Sequence, residues 1–291
     1  MSDEQPIVFC ELNATRRKAV QAYAQALKDI APQVGDHGLP IKEFWESGIF
    51  NSAIESLRGT NAASMVNKRE FVEAVFNQLQ TAGEIQSWAS TGAGERFDYE
   101  VVMPDGWRSV VETKGCLDGN NTNIFERPPQ ADEFIIWSLC QNPGADPRKN
   151  VKSGIHTRLG AEIIKNKQRV DGLIVWDMVC GSAGRPCLKL SGEKPRVALR
   201  FKDRNAPPPC FYLFPRSVPD PRNNPEPQSW RLHEVRLIAA MHRAFQCDAN
   251  DVVDVRIEAR MQDNDIQRRS RLTRDGDEFM VTKWTTLKRA R

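Results

Sequence analysis

No apolar run in this chain approaches the length of a membrane span, and its first residues, MSDEQPIVFCELNATRRK, lack the charged-then-apolar layout of a secretory leader. A cytoplasmic protein with no membrane partner is the expectation. The seven cysteines are an odd number, and none forms a CxxC pair or a zinc-like Cys/His spacing, so they are expected to be reduced, structural thiols. Histidine is scarce, with four in 291 residues. His156, near the start of an expected helix, reads as a surface or capping residue. A net charge of +3 is too small to imply a nucleic-acid partner by itself. What is present is ordinary for a soluble globular protein: 40% hydrophobic and 27% charged residues, enough for one large domain or a core with appended parts.

The most informative stretch is Phe97 to Gly115, FDYEVVMPDGWRSVVETKG. Pro104, Asp105 and Gly106 suit a three-residue hairpin loop, with proline presetting φ and glycine taking the left-handed position. Met103 then faces Trp107, Glu100 faces Val110, and Asp98 faces Glu112. With side chains alternating, Asp98, Glu100, Glu112 and Lys114 are expected on one face. Val101, Val102, Val110 and Val111 are strong strand formers, so these charges sit in a strand pair that wants burial. Like charges across a hairpin are destabilising, which asks for a cation. Asp98 and Glu112 are hard oxygen ligands of the kind that hold Mg²⁺, and Lys114 would oppose negative charge building up on a phosphate.

Asp98 followed at a distance by Glu112-Thr113-Lys114 resembles the acid-plus-ExK signature of the PD-(D/E)XK nuclease superfamily, which includes most type II restriction endonucleases. Phe97 stands where that family has its proline, and the literal Pro104-Asp105 lies in the turn, too close to Glu112. The resemblance implies Asp98 and Glu112 as catalytic metal ligands, aided by the Thr113 backbone carbonyl, with Lys114 orienting or activating water. It also makes Glu73, on the helix before the hairpin, an auxiliary candidate. A salt bridge at the edge of that helix is the alternative for Glu73.

The remaining elements are read around this hairpin. Ala19, Tyr23, Ala26, Leu27 and Ile30 have helical spacing up to Pro32, and a second helix is expected from about Phe44 to Leu57. Residues 1–66 thus form a helical layer suited to packing or dimerisation. NKREFVEAVFNQLQ, from Asn67 to Gln80, is an amphipathic helix with Phe71, Val72, Val75, Phe76 and Leu79 as its buried stripe. After the hairpin come a polar loop, a buried strand at Glu133–Cys140, a helix at Ile155–Arg169, and an apolar strand at Val170–Val179. Residues 67–179 therefore read as a nuclease core of αβββαβ order, an α/β (α+β) fold with a mixed central sheet flanked by helices. The remainder, 180–291, is expected to complete the same domain. It should contribute strands at Val197–Lys202, Cys210–Phe214, Val252–Met261 and Glu278–Trp284, and a helix from Trp230 to Phe245.

The expected function is a Mg²⁺-dependent type II restriction endonuclease, a homodimer that hydrolyses double-stranded DNA and leaves 5′-phosphate ends. The alternatives are a repair or recombination nuclease of the same superfamily and a non-catalytic DNA-binding protein on the same core. Asn120, Asn121, Asn123 and Arg127, in the loop after the catalytic strand, are candidates for DNA contact, since Asn amides and Arg forks pair with base edges or phosphates. Arg216, Arg222, Asn223 and Asn224, in a proline-stiffened loop, are a second set. Ten Lys/Arg against seven Asp/Glu between Val252 and Arg291 add to the basic surface.

Overall fold

A mixed sheet of ten strands organises the protein, whose computed structural model describes residues 14–34, 38–54, 65–91, 97–115, 126–139, 158–176, 180–181, 187–190 and 196–287. Strands β1 (Ser87–Ser90), β2 (Tyr99–Val102) and β3 (Arg108–Lys114) form an antiparallel meander. Next come β4 (Glu133–Ser138) and β5 (Gly172–Val175), each parallel to its predecessor. A separate hairpin is made by β6 (Leu199–Phe201) and β7 (Arg204–Ala206). The large sheet then continues through β8 (Cys210–Leu213), β9 (Val252–Gln262), β10 (Asp265–Arg274) and β11 (Asp277–Val281), with β12 (Thr285–Thr286) also paired to β10. The C-terminal third thus extends the same sheet.

Helices cover both faces. On one side, α3 (Met65–Thr81) and α5 (Arg236–Ala244) bury Phe71, Val75, Phe76, Leu237 and Met241 against Tyr99, Val111, Ile135 and Trp137. On the other, α4 (Gly160–Asn166) and the inward side of β9 pack with Val110, Phe134, Ile136 and Leu173. The alternation along β3 and β4 is what divides the residues between the two layers. Gly172 marks a close approach of α5 to the sheet, because a Cβ there would stand 2.4 Å from Ile238 Cδ1 and 3.2 Å from the Tyr212 carbonyl.

Two buried carboxylates tie distant elements together. Glu133, on β4, accepts from the Ser109 hydroxyl at 2.8 Å and from the Arg236 and Leu237 amides at the start of α5. Asp171 accepts from the Phe134 amide, the Trp230 indole and the Arg127 guanidinium, and it is ion-paired with Arg169 at 2.9 Å.

Several expectations need correction. Four strands, not three, lie between α3 and α4, because SWAS at 87–90 pairs with β2; the order is αββββαβ. Only Ser87 to Ser90 form this edge strand, and most of its residues are exposed, so it carries no buried alternation to announce it. β10 was also unexpected, since DIQRRSRLTR reads as a basic surface stretch. It forms a strand because Arg268, Ser270 and Leu272 turn inward while the strand pairs with β9 over nine positions. The expected helix at Phe44–Leu57 is interrupted after α2 (Ile41–Glu46) by a turn at Ser47 and Gly48, where Gly48 has φ +76°. Among the described residues no helix is long and apolar enough to cross a membrane.

Candidate active site at the end of the central hairpin

The β2–β3 turn forms as its residues dictate. Gly106 has φ +85° and donates to the Met103 carbonyl at 2.9 Å, and the Met103 amide donates to Trp107 at 2.8 Å. Glu100 lies opposite Val110 and Tyr99 opposite Val111, the register expected from the turn. This pairing delivers Glu112 and Lys114 to the C-terminal end of β3. There Glu112 is only 2% exposed and forms an ion pair with Lys114, whose side chain is 15% exposed. The ammonium supplies the opposite charge that a carboxylate so deeply placed requires.

Asp98 departs from the simple alternation. Phe97 packs in the layer of Val110, yet Tyr99, two residues on, packs in the opposite layer with Val111. Regular strand geometry would put both on one face, so the chain bends at Asp98, one residue before β2 begins. The Asp98 amide donates to the Val111 carbonyl at 3.0 Å. Its carboxylate accepts from both the amide and the hydroxyl of Thr113, each at 2.6 Å. Asp98 is therefore not on the face shared by Glu100, Glu112 and Lys114. It lines a cleft on the α3 side with Lys68, Arg69, Ser90, Thr91 and Thr113. Thr113 joins the two halves of the site: it follows Glu112 in the chain and holds Asp98 through two hydrogen bonds.

Glu73 is half-buried on α3. Its charge bears, with that of Asp98, on the buried Tyr99 phenol. Burial first, then Glu73 and Asp98, push the Tyr99 pKa up to about 12, against the opposing effect of Arg69. Glu73 thus belongs to the Asp98 side of the site.

Among the described residues no group of three or more His, Cys, Asp or Glu side chains stands ready to hold a metal. The donor chemistry nevertheless fits Mg²⁺, which is usually held by one or two carboxylates with water and phosphate oxygens completing its shell. Asp98 and Glu112 are two carboxylates of that kind, but they leave the hairpin on different faces, Asp98 toward α3 and Glu112 toward Lys114.

The expected DNA-contacting residues have varied placements. Asn120, Asn121 and Asn123 lie outside the described residues, as does His156. Arg127 is a strut: its guanidinium meets Asp171 at 2.6 Å and donates to the carbonyls of Ala131 and Asp132. Arg216 pairs with Glu234 at 2.5 Å and lies over the Trp230 ring. The amides of Arg222 and Asn223 donate to Asp220, and the Asn224 amide group donates to Ser217, so these residues build a turn. On β9 and β10, Arg256, Arg269 and Arg271 are ion-paired with Glu226, Glu258 and Glu278, which reduces the basic surface read from composition.

Sequence reasoning missed Lys68 and Arg69. They precede the buried stripe of α3 by one turn, and Arg69 lies four residues before Glu73 on the same helical face, which is the signal that was there to use. No protein-family description, curated protein or solved structure matches this chain.

Proposed function

We propose that this chain is a Mg²⁺-dependent DNA endonuclease of the type II restriction class, working as a homodimer on double-stranded DNA. The observations that carry the reading are the buried Glu112 paired with Lys114 at the end of β3 and, one residue on, Thr113 holding the Asp98 carboxylate. A buried acid and a pinned acid at one strand end suit metal-assisted phosphodiester hydrolysis better than they suit a binding module, which needs neither. When bound, Mg²⁺ supplies positive charge to the phosphate and lowers the pKa of a coordinated water.

In this reading Asp98 and Glu112 are the carboxylate ligands, and the Thr113 amide and hydroxyl keep Asp98 oriented. Lys114 holds its ammonium where negative charge develops as the water oxygen bonds to phosphorus and the bond from phosphorus to the 3′-oxygen breaks. The leaving oxygen takes up a proton, so the products carry 5′-phosphate and 3′-hydroxyl ends.

The dimer reading is supported by an uncovered apolar surface near the N-terminus. Tyr23, Ile30, Val34, Ile41, Trp45 and Ile49 are six of the nine large apolar side chains exposed among the described residues. Such a concentration is the usual mark of an interaction surface.

Incubating the protein with plasmid and phage DNA, with Mg²⁺ or with EDTA, and mapping the ends tests this function. Discrete Mg²⁺-dependent fragments with 5′-phosphates are expected. Degradation from ends or at unusual structures would favour a repair nuclease, and binding without cleavage would favour a non-catalytic protein.

A further inference from the structure

The cleft that contains Asp98 also contains two cations with no assigned task. Lys68 and Arg69 line it from the first turns of α3, facing Asp98, Thr113 and the end of β1. Among the described residues neither has a hydrogen-bond or ion-pair partner, whereas the next residue, Glu70, pairs with Lys202 at 2.6 Å. Lys68 is half-buried, and loss of water lowers its pKa. A half-buried ammonium without a counter-charge is unfavourable unless something anionic comes to it. The nearby acids are Asp98, which Thr113 already engages, and the half-buried Glu73.

The geometry points to Lys68 and Arg69 as a phosphodiester clamp that seats the DNA backbone in the Asp98 cleft. This rests on the nuclease reading above and deepens it. A guanidinium fork can take two phosphate oxygens while an ammonium takes one as a point charge, so the pair can hold a single phosphate or two successive ones. Because α3 is anchored by its buried stripe, the two cations stand at a set height above Thr113. The clamp would therefore place the strand relative to Asp98 and Thr113, making Lys68 and Arg69 positioning residues.

The test measures duplex binding by fluorescence anisotropy in EDTA, where no cleavage occurs, at salt concentrations from about 50 to about 200 mM. Each lost phosphate contact should reduce the slope of log Kobs against log salt by about 0.9. Lys68→Gln and Arg69→Gln should each lower the slope by about that amount, with unchanged thermal unfolding. Lys68→Arg should restore most of it. Lys202→Gln, which removes a neighbouring cation already paired with Glu70, should leave the slope alone. If the wild-type protein binds duplex and the Lys68→Gln/Arg69→Gln double variant has the same slope, the clamp is wrong while the nuclease reading stands. If the wild-type protein neither binds nor cuts duplex DNA, the nuclease reading fails and the clamp fails with it.

Discussion

Thr113 separates two carboxylates that do different things, and this governs which substitutions are informative. Asp98→Ala would strand the Thr113 amide, a loss on the order of 1–3 kcal/mol, and Glu112→Ala would strand the Lys114 ammonium. Asp98→Asn and Glu112→Gln keep hydrogen-bonding capacity and remove the charge. Both should fold normally, bind DNA, and lose Mg²⁺-dependent cleavage; full activity of either in Mg²⁺ would remove that residue from the site. Lys114→Gln keeps a donor for Glu112 without the positive charge. It should slow single-turnover cleavage on the order of 10²-fold or more while affinity changes far less. A tenfold loss of affinity with the rate intact would instead make Lys114 a phosphate contact. The ETK run and the acid before it were visible in the sequence as candidates. The direction of Asp98 was not, because a bend just before β2 reverses a face without altering the spacing.

At the scale of elements, the least expected feature is how α5 is seated. No Ser, Thr, Asp or Asn precedes Arg236, and the helix has no side-chain cap from its own neighbours. Glu133 does the work from β4, about a hundred residues away in the chain, accepting from the first two amides of α5. Burial outweighs the three hydrogen bonds it receives and pushes its pKa up to about 7. Between about pH 4.5 and pH 7 the folded protein then keeps a proton that the unfolded chain has released. Stability should fall as pH rises through that window, by up to about 3 kcal/mol, and level off above it. Asp254 is shifted in the same direction by burial, so the contrast with Glu133→Gln isolates the Glu133 share. Urea unfolding at about pH 5 and about pH 8 should show a smaller loss in Glu133→Gln than in the wild-type protein. An equal loss in both proteins would assign the pH dependence to other groups.

For the whole molecule, the large sheet runs from β1 to β11 with the β6–β7 hairpin apart from it, while α1 (Ala14–Ile30) and α2 leave most of their large apolar residues outward, Phe44 excepted. Tyr23 is 69% exposed and Ile30 49%, although both belong to the spacing that predicted a packed layer. One candidate site per chain cuts one strand, and a two-fold dimer presents two related sites to a duplex. Sedimentation at micromolar concentration should therefore give a dimer, alone or with cognate DNA. Ile30→Glu combined with Trp45→Glu should shift it toward monomer without loss of the melting transition. A monomer that nicks a single strand would overturn both the dimer and the type II assignment.

What the sequence by itself determined was local. Pro104-Asp105-Gly106 set the hairpin register between the two valine pairs, and the stripe from Phe71 to Leu79 set the buried face of α3. These signals act over a few residues, through backbone sterics and side-chain periodicity, so they survive without knowledge of the rest. Tertiary structure alone decided the fate of the charges. Arg127 looked available for DNA until Asp171, 44 residues later, took its guanidinium. The basic run from Asp265 to Arg274 became a strand because β9 offered it a complete ladder and acids to pair with. Lys68 and Arg69 acquired a relation to Asp98 only when α3 packed across the meander. A charge is stabilised by whatever partner arrives in space, and its own sequence neighbourhood carries little record of that partner.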